Sequence, residues 1–373
     1  MNKKTVLVTG GAGFIGSHLV DGLIAKGYRV KVLDNLYRQI HPTGRLPAYF
    51  NKQAEFIKGD VTNRNDWQKA LKGTDLICHL ASAVGVGQSM YEVEHYVKVN
   101  SLGTAILLDI LANSKHTIKK ILVAASMSSY GEGVYSCHKC GLVKPPLRSE
   151  KRLLKRDFQV YCPNCGKVVL PVATNEETKQ NSNSIYAIGK KEQEEMVLTF
   201  GKAYNLPSVA MRYFNVYGPR QSLSNPYNGV AAIFMSRIKN NHPPVINEDG
   251  SQTRDFIHVY DITSANIMAL ESEKADYQVF NVGSGKPVTI KDVAEILIKL
   301  YQSNLSPEIT YKVRKLDVKH CYADISKLKK LVGWKPRISL EAGFKELIEW
   351  GKGEVAVDKV DFANKELEKR GLR

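Results

Sequence analysis

Short runs of apolar, mostly β-branched residues recur along the chain, and between them lie longer stretches whose apolar positions return every three or four residues. Thr5-Val-Leu-Val-Thr9 is the first run, and Phe14, Ile15, Leu19, Val20, Leu23 and Ile24 mark one face of a helix directly after it. Apolar runs without alternation are what strands covered on both faces require, so the pattern predicts a parallel sheet. Strands are expected near 5–9, 30–34, 54–58, 75–80, 119–126, 207–213 and 278–282. With helical segments between most of them, the order is that of an α/β protein built on a doubly wound parallel sheet. The loop-rich 217–255 segment and residues 284–350 are left for a smaller C-terminal α/β substrate lobe, on either side of a return to the sheet at 256–283. Residues 351–373, charged from Val355 onward, read as a tail, either a short helix or a frayed end.

Between the first strand and the first helix stands Gly10-Gly11-Ala12-Gly13-Phe14-Ile15-Gly16. A glycine string alone marks many ordinary turns, but here strand, turn and helix follow in the order that a dinucleotide-binding Rossmann unit needs. Gly10 and Gly11 permit the tight turn, Gly13 lets backbone approach a pyrophosphate, and Gly16 lets the helix pack close to the strand. The helix N-terminus at Phe14 and Ile15 supplies free N–H groups and the positive end of a dipole. A second apolar run, Tyr28 to Asp34, ends on a carboxylate 18 residues after Gly16, with Asn35 next to it. A carboxylate there accepts from a ribose 2′-OH and repels a 2′-phosphate, which favours NAD over NADP.

Tyr186 and Lys190 lie four apart on a helical stretch from Ser184 to Tyr204, so both point from one face. The strand near 119–126 delivers Ser126 to its C-terminal edge, where ligands bind in open α/β sheets. A lysine ammonium beside a phenol stabilises the phenolate, so Lys190 is expected to lower Tyr186 from about 10 and make it a base, with Ser126 bonding the substrate oxygen.

Ser126 and Tyr186 are 60 residues apart, and the interval holds Cys137-His-Lys-Cys140 and Cys162-Pro-Asn-Cys165, two knuckles separated by 21 residues. Cys137, Cys140, Cys162 and Cys165 match a four-cysteine zinc ribbon; a closed set of four thiolates leaves no position for water, so the metal would be structural. Two disulfides or free thiols are the competing reading. Cys78 and Cys321 stand apart as packing residues. The expected organisation is then a dinucleotide-binding part at 1–136, a ribbon at 137–166, the catalytic helix and following strand at 167–216, and the lobe and tail beyond.

Composition changes this picture little. At 373 residues and 43% hydrophobic the chain can bury a large core. No run of 18 apolar residues occurs and the chain enters a strand almost at once, so neither a membrane span nor a signal peptide is read, and a cytoplasmic enzyme is expected. The net charge of +16 raises nucleic acid as a partner, yet the basic residues are spread out and cluster only near Arg148 to Arg156, so no nucleic-acid role is expected.

On these motifs the chain resembles the extended short-chain dehydrogenase/reductase family, in particular its NAD-dependent nucleotide-sugar epimerases and dehydratases. Further landmarks are Gly59-Asp60-Val61, His79-Leu80-Ala81-Ser82, Asn100, Arg212 to Arg220, Arg254 to Val259 and Tyr322-Ala-Asp324 with Gly333 to Pro336. The resemblance implies that Asp60, Val61, Leu80, Ala81, Ser82 and Asn100 join Asp34 and the glycine turn around NAD. It also implies that Asn215, Arg254 and Arg314 contact the diphosphate of a nucleotide sugar, and that a homodimer forms through helices at about Tyr91–Asn113 and Ser184–Tyr204. For that interface the apolar positions Val97, Ile106, Leu107, Ile110 and Leu111 exceed what one face needs. Dehydrating and decarboxylating relatives place acids after the serine, where this chain has Met127 and Ser128, so C4 inversion is expected. The strings Tyr130 to Cys137 and Asn225 to Phe234, with the cysteines, resemble those of dTDP-L-rhamnose 4-epimerases, with Val84, Val86 or Met127 as an apolar wall for a 6-deoxy sugar. A UDP-hexose or UDP-hexuronate 4-epimerase is the alternative; a non-catalytic NAD-binding protein with a basic ribbon is a reading from another class.

Overall fold

The computed structural model describes residues 3–373. The strands begin with β1 (Thr5–Thr9), β2 (Arg29–Asp34), β3 (Glu55–Lys58), β4 (Leu76–His79) and β5 (Lys120–Ser126). β6 (Val134–Cys137), β7 (Gly141–Val143) and β8 (Leu170–Val172) precede β9 (Ser208–Tyr213) and β10 (Asn215–Tyr217). β11 (Val245–Ile246), β12 (Thr253–His258), β13 (Gln278–Val282), β14 (Pro287–Thr289), β15 (Glu308–Ile309) and β16 (His320–Cys321) follow. The helices are α1 (Phe14–Ala25), α2 (Arg64–Leu71), α3 (Val93–Tyr96), α4 (Gly103–Asn113), α5 (Glu150–Leu153), α6 (Ile185–Ala203) and α7 (Val230–Lys239). After them come α8 (Val259–Glu271), α9 (Ile290–Leu300), α10 (Ser326–Val332), α11 (Leu340–Lys352) and α12 (Val360–Lys369).

The central sheet is parallel throughout, in the order β13-β9-β5-β4-β1-β2-β3, with the strand order reversing between β1 and β4. Its strands fall within two residues of the expected spans because all but the edge strand β3 are largely buried on both sides. Val6, Val8, Val32 and Leu122 face α1 and α8, while the alternating Leu7, Leu33, Ile77 and Ile121 face α2, α4 and α6. The β1–β4 switch brings the C-terminal edges of β1, β4 and β5 to one crevice, where such sheets bind ligands. The lobe gathers β10, β14 and β16 around β12, over a core that includes Phe234, Phe256, Leu297 and Phe344.

Three segments refine the sequence expectation. The helix expected at Tyr91–Asn113 runs without a break from Val93 to Asn113, with a π-helical stretch, Val97–Leu102, between α3 and α4. On it the apolar surplus has another explanation, since Leu107, Ile110 and Leu111 are core of this subunit, packed on the sheet and α6; Val97 alone of the five is exposed. The ribbon is longer than 137–166, for β6, β7 and β8 form an antiparallel three-stranded sheet spanning 134–172. The tail takes the helical one of its two expected forms and docks, α12 burying Val360, Ala363, Asn364 and Leu367. Among the described residues no helix is long and apolar enough to cross a membrane.

Candidate active site

Gly10 sits at φ +69°, in the left-handed region that favours glycine. A Cβ on Gly16 would stand 2.1 Å from the Gly10 carbonyl oxygen, so only glycine lets α1 start this close to β1. A Cβ on Gly13 would meet nothing nearer than 3.4 Å, which leaves that side open to a ligand. No side chain caps α1 and no acid stands in its first turn, so the amides of Phe14 and Ile15 remain for an anion such as a pyrophosphate.

Asp34 ends β2 almost fully buried, its carboxylate accepting from the Ala12 amide at 3.0 Å and the Leu36 amide at 2.8 Å. It therefore ties the glycine turn to β2 while keeping lone pairs for a ribose hydroxyl. Beside it opens a cavity of about 430 Å³ lined by Asn35, Leu36, Tyr37, Arg38, Lys58 and Asp60, a volume suited to a small molecule. The Asn35 amide donates to Asp60 at 2.7 Å. Burial raises the Asp60 carboxyl, but bonds from Thr62 and Asn35 outweigh it and hold the group below its ordinary range. Next to it the Val61 carbonyl accepts from the Trp67 indole at 2.7 Å. Asp34→Ala is expected to weaken NAD binding by about 1–3 kcal/mol; equilibrium dialysis against NAD and NADP measures it, and equal affinity of the unaltered protein for both would overturn the role.

At the end of β4 the amides of Leu80 and Ala81 both donate to Thr9 Oγ1, at 3.2 and 3.1 Å. The Ser82 hydroxyl and the Ala83 amide donate to Asn100 Oδ1, and Asn100 Nδ2 donates to the Ala83 carbonyl. Asn100, buried in the π-helical stretch, thus commits most of its amide to the turn after β4. It also abuts α6, since a Cβ on Gly189 would come within 3.1 Å of the Asn100 Cβ.

Ser126 closes β5 as expected, its Oγ accepting from the Ser128 amide at 3.2 Å and the Ser128 hydroxyl at 2.9 Å. Tyr186 stands in the first turn of α6, set by Ser184, whose hydroxyl caps the helix by accepting from the Ala187 amide at 3.1 Å. The two catalytic candidates act on one another: Ser126 pulls the Tyr186 phenol down against the effect of burial. The expected effect of Lys190 on that phenol is corrected by the structure. Burial pushes Tyr186 up, only Ser126 pulls it down, and Lys190 is itself desolvated, its ammonium lowered to about 7.

Lys190 Nζ donates to Gln193 Oε1 at 2.8 Å, and Gln193 Nε2 donates to Thr104 Oγ1 at 3.0 Å beside His79 Nε2 at 3.3 Å. Burial, aided by the Lys190 charge, lowers His79 to about 3, and its Nδ1 lies 2.8 Å from Thr9 Oγ1. A buried polar chain therefore joins Lys190 to the strand that carries the glycine turn. Sequence reading missed Gln193 and Thr104, which belong to no motif; the available signal was polar residues on an otherwise buried helix face.

Of the residues expected at the diphosphate, Asn215 Oδ1 at the start of β10 and Arg314 Nε are each buried without a hydrogen-bond partner. Arg254 is fixed within the lobe. Its two terminal nitrogens donate to the carbonyls of Thr253, Val318 and Lys319 and to Asp317, because β16 pairs with β12 and folds the 314–319 loop over it.

The Sγ atoms of Cys137, Cys140, Cys162 and Cys165 lie within 4.8 Å of one another, with Cys137 and Cys165 at 3.5 Å. Thiolates at about 2.3 Å from a tetrahedral zinc would stand about 3.8 Å apart, whereas a disulfide needs about 2.05 Å. All six cysteines are free, so the convergence fits a metal better than two bridges. Cys78 and Cys321 are packing residues as expected, their thiols pushed up to about 12 by burial.

An open glycine turn and a Ser126–Tyr186–Lys190 set on one sheet edge define a short-chain dehydrogenase/reductase scaffold. The chain belongs to the NAD dependent epimerase/dehydratase family, whose model matches residues 6–148; residues 166–347 match the model described as GDP-mannose 4,6 dehydratase, and the break falls inside the ribbon. It is 34% identical to a dTDP-L-rhamnose 4-epimerase of Burkholderia thailandensis over 94% of this chain and 95% of that one. A solved UDP-N-acetylglucosamine 4-epimerase of Methanobrevibacter ruminantium is 32% identical, with a TM-score of 0.76 over 95% of this chain and all of that one. A Bacillus cereus UDP-glucuronic acid 4-epimerase in complex with UDP-glucuronic acid and NAD is 28% identical, with a TM-score of 0.73 over 93% of this chain and 99% of that one. Relatives also include a UDP-N-acetyl-alpha-D-glucosaminuronate decarboxylase of Bacillus cytotoxicus, 29% identical over 93% of this chain and 98% of that one.

Proposed function

We propose that the protein is an NAD-dependent nucleotide-sugar 4-epimerase, converting dTDP-L-rhamnose to dTDP-6-deoxy-L-talose. The observation that carries the reaction class is the lack of a free acid in the turn after Ser126. Positions 127 and 128 are Met and Ser, and Ser128 spends its hydroxyl on Ser126. Buried acids flanking the site are committed: Glu132 accepts from Tyr135 and the Lys319 and His320 amides, Glu194 pairs with Arg212, and Glu176 accepts from the Asn281 amide. This favours inversion over elimination or decarboxylation.

Bound NAD supplies the hydride acceptor for C4 and the donor for its return to the other face. Tyr186 takes the proton of the 4-hydroxyl and later gives it back, while Ser126 donates to the same oxygen. Lys190 lies one turn behind Tyr186 on α6, positioned by Gln193. Asp34, Asp60 and the turn amides hold the cofactor, and Asn215 and Arg314 hold the diphosphate.

The choice of sugar rests on the Burkholderia relative and the cysteine ribbon. Of the apolar wall expected for a 6-deoxy sugar, Val84 and Val86 are 49% and 45% exposed on the loop after β4, available to a ligand, whereas Met127 packs on Tyr130 and Phe214. The alternative, a UDP-hexose or UDP-hexuronate substrate, is supported by the solved relatives. Incubating the protein with dTDP-L-rhamnose, UDP-glucose, UDP-galactose and UDP-glucuronate and resolving products by NMR decides; release of carbon dioxide or water in place of an epimer would overturn the class.

The homodimer rests on a different set of exposed residues from the one expected, with Val97 common to both. Val93, Val97, Leu102 and Ile188 leave exposed apolar side chains on α3, the π-helical stretch and α6. Sedimentation velocity checks it, a concentration-independent monomer ruling it out.

A further inference from the structure

The chain beyond α11 folds back across the substrate lobe. On one side α12 touches the 85–91 loop. A Cβ on Gly87 would meet the Leu367 side chain at 3.2 Å, and the Arg370 guanidinium stands 4.2 Å above the Tyr91 ring. Tyr91 is in turn hydrogen-bonded to Tyr227 at 2.5 Å. On its other side the segment meets the loop that carries Arg314: the Lys315 amide donates to the Leu372 carbonyl at 3.0 Å, and Lys312 reaches Glu368 at 3.4 Å. Arg373 follows, its Nη2 donating to the Asn247 side-chain oxygen at 3.1 Å.

The bond between residues 315 and 372 brings Arg373 to Arg314 from a remote part of the chain. Among the described residues neither guanidinium is in an ion pair, and the Nε of each is buried without a partner. Burial and the Arg314 charge together lower Arg373 below the ordinary arginine value. Two like charges held together with idle donors are unfavourable until an anion bridges them. Planar guanidinium forks suit phosphate oxygens, and a diphosphate offers enough charge for both.

We propose that residues 360–373 form a strap over the nucleotide-sugar cleft, and that Arg373 grips the substrate's diphosphate together with Arg314. The inference rests on the reading of the chain as a nucleotide-sugar enzyme, in which Arg314 already faces that diphosphate.

Calorimetric titration of the NAD-loaded protein with dTDP, UDP and inorganic pyrophosphate tests it. Arg373→Gln is expected to raise the Kd for dTDP or UDP about tenfold. KM for the nucleotide sugar should rise in step, with kcat little changed because the diphosphate is remote from C4. NAD content and melting temperature should stay at the wild-type values, and Arg373→Lys should recover part of the affinity. Unchanged Kd and KM in Arg373→Gln, with both raised in Arg314→Gln, would overturn the role of Arg373 and leave the functional reading intact. Wild-type protein that binds none of the three probes would sink both.

Discussion

Tyr186→Phe protein is expected to keep its NAD and lose at least about 100-fold of its epimerisation rate, the scale of positioned proton transfer. The substitution removes one oxygen and little else. The ring keeps its edge-on packing against Tyr96, with centroids 6.5 Å apart, and Ser126 keeps its bonds from Ser128. Lys190→Met should be comparably damaging, because it removes the only ammonium on that face of α6 and leaves buried Gln193 Oε1 without its donor. Rate assays with parallel measurement of bound NAD distinguish lost chemistry from lost cofactor. Near-normal turnover in the phenylalanine variant would sink the mechanism.

Metal removal is the second large effect. Protein prepared without chelator is expected to carry one zinc per chain, and stripping it should unfold the 134–172 insertion while the seven-stranded sheet survives. The ribbon's own core is little more than Tyr135, Val143, Val160, Val169 and the cysteines, so coordination must supply most of its folding free energy. Zinc-finger peptides draw about 10–16 kcal/mol from such a site. The insertion is also seated on the substrate lobe: Arg148 forms a two-pronged buried ion pair with Glu248, at 2.6 and 2.9 Å, and donates to the Asp317 carbonyl. Asp317 lies on the loop that carries Arg314. Stripped protein should therefore lose nucleotide-sugar affinity more than NAD affinity. Elemental analysis and limited proteolysis provide the check, and disulfides found by mass spectrometry would overturn the metal reading.

The central sheet was legible because doubly covered strands write unbroken apolar runs, and the glycine turn because only glycine fits at Gly10 and Gly16. Ser126 and Tyr186 were legible through their positions on a strand end and a helix start. What escaped has physical reasons. β7 and β8 are three residues long and leave Leu142 and Leu170 exposed, so they carry no alternation to read. Leu107, Ile110 and Leu111 looked like surplus because their helix packs on both the sheet and α6. The bonds that fix Arg254 were not legible, because the pairing behind them joins β12 to β16, a contact between segments far apart in sequence. The docking of α12 was hidden by its charges, which lie on the face away from Leu367 and Ala363.

The place of the ribbon between β5 and β9 also bears on how fast the protein assembles. These strands are neighbours in the sheet, Ser126 pairing with Tyr213, yet the whole insertion separates them in the chain. Closing that loop costs the native state little, since the entropy grows only with the logarithm of its length. The burden falls on kinetics, because parallel pairing across a long intervening segment is slow and leaves apolar strand edges open to other molecules meanwhile. A metal that joins Cys137 to Cys165 early shortens the slack left to close, so zinc supply would govern the rate and yield of refolding as well as the order of the ribbon.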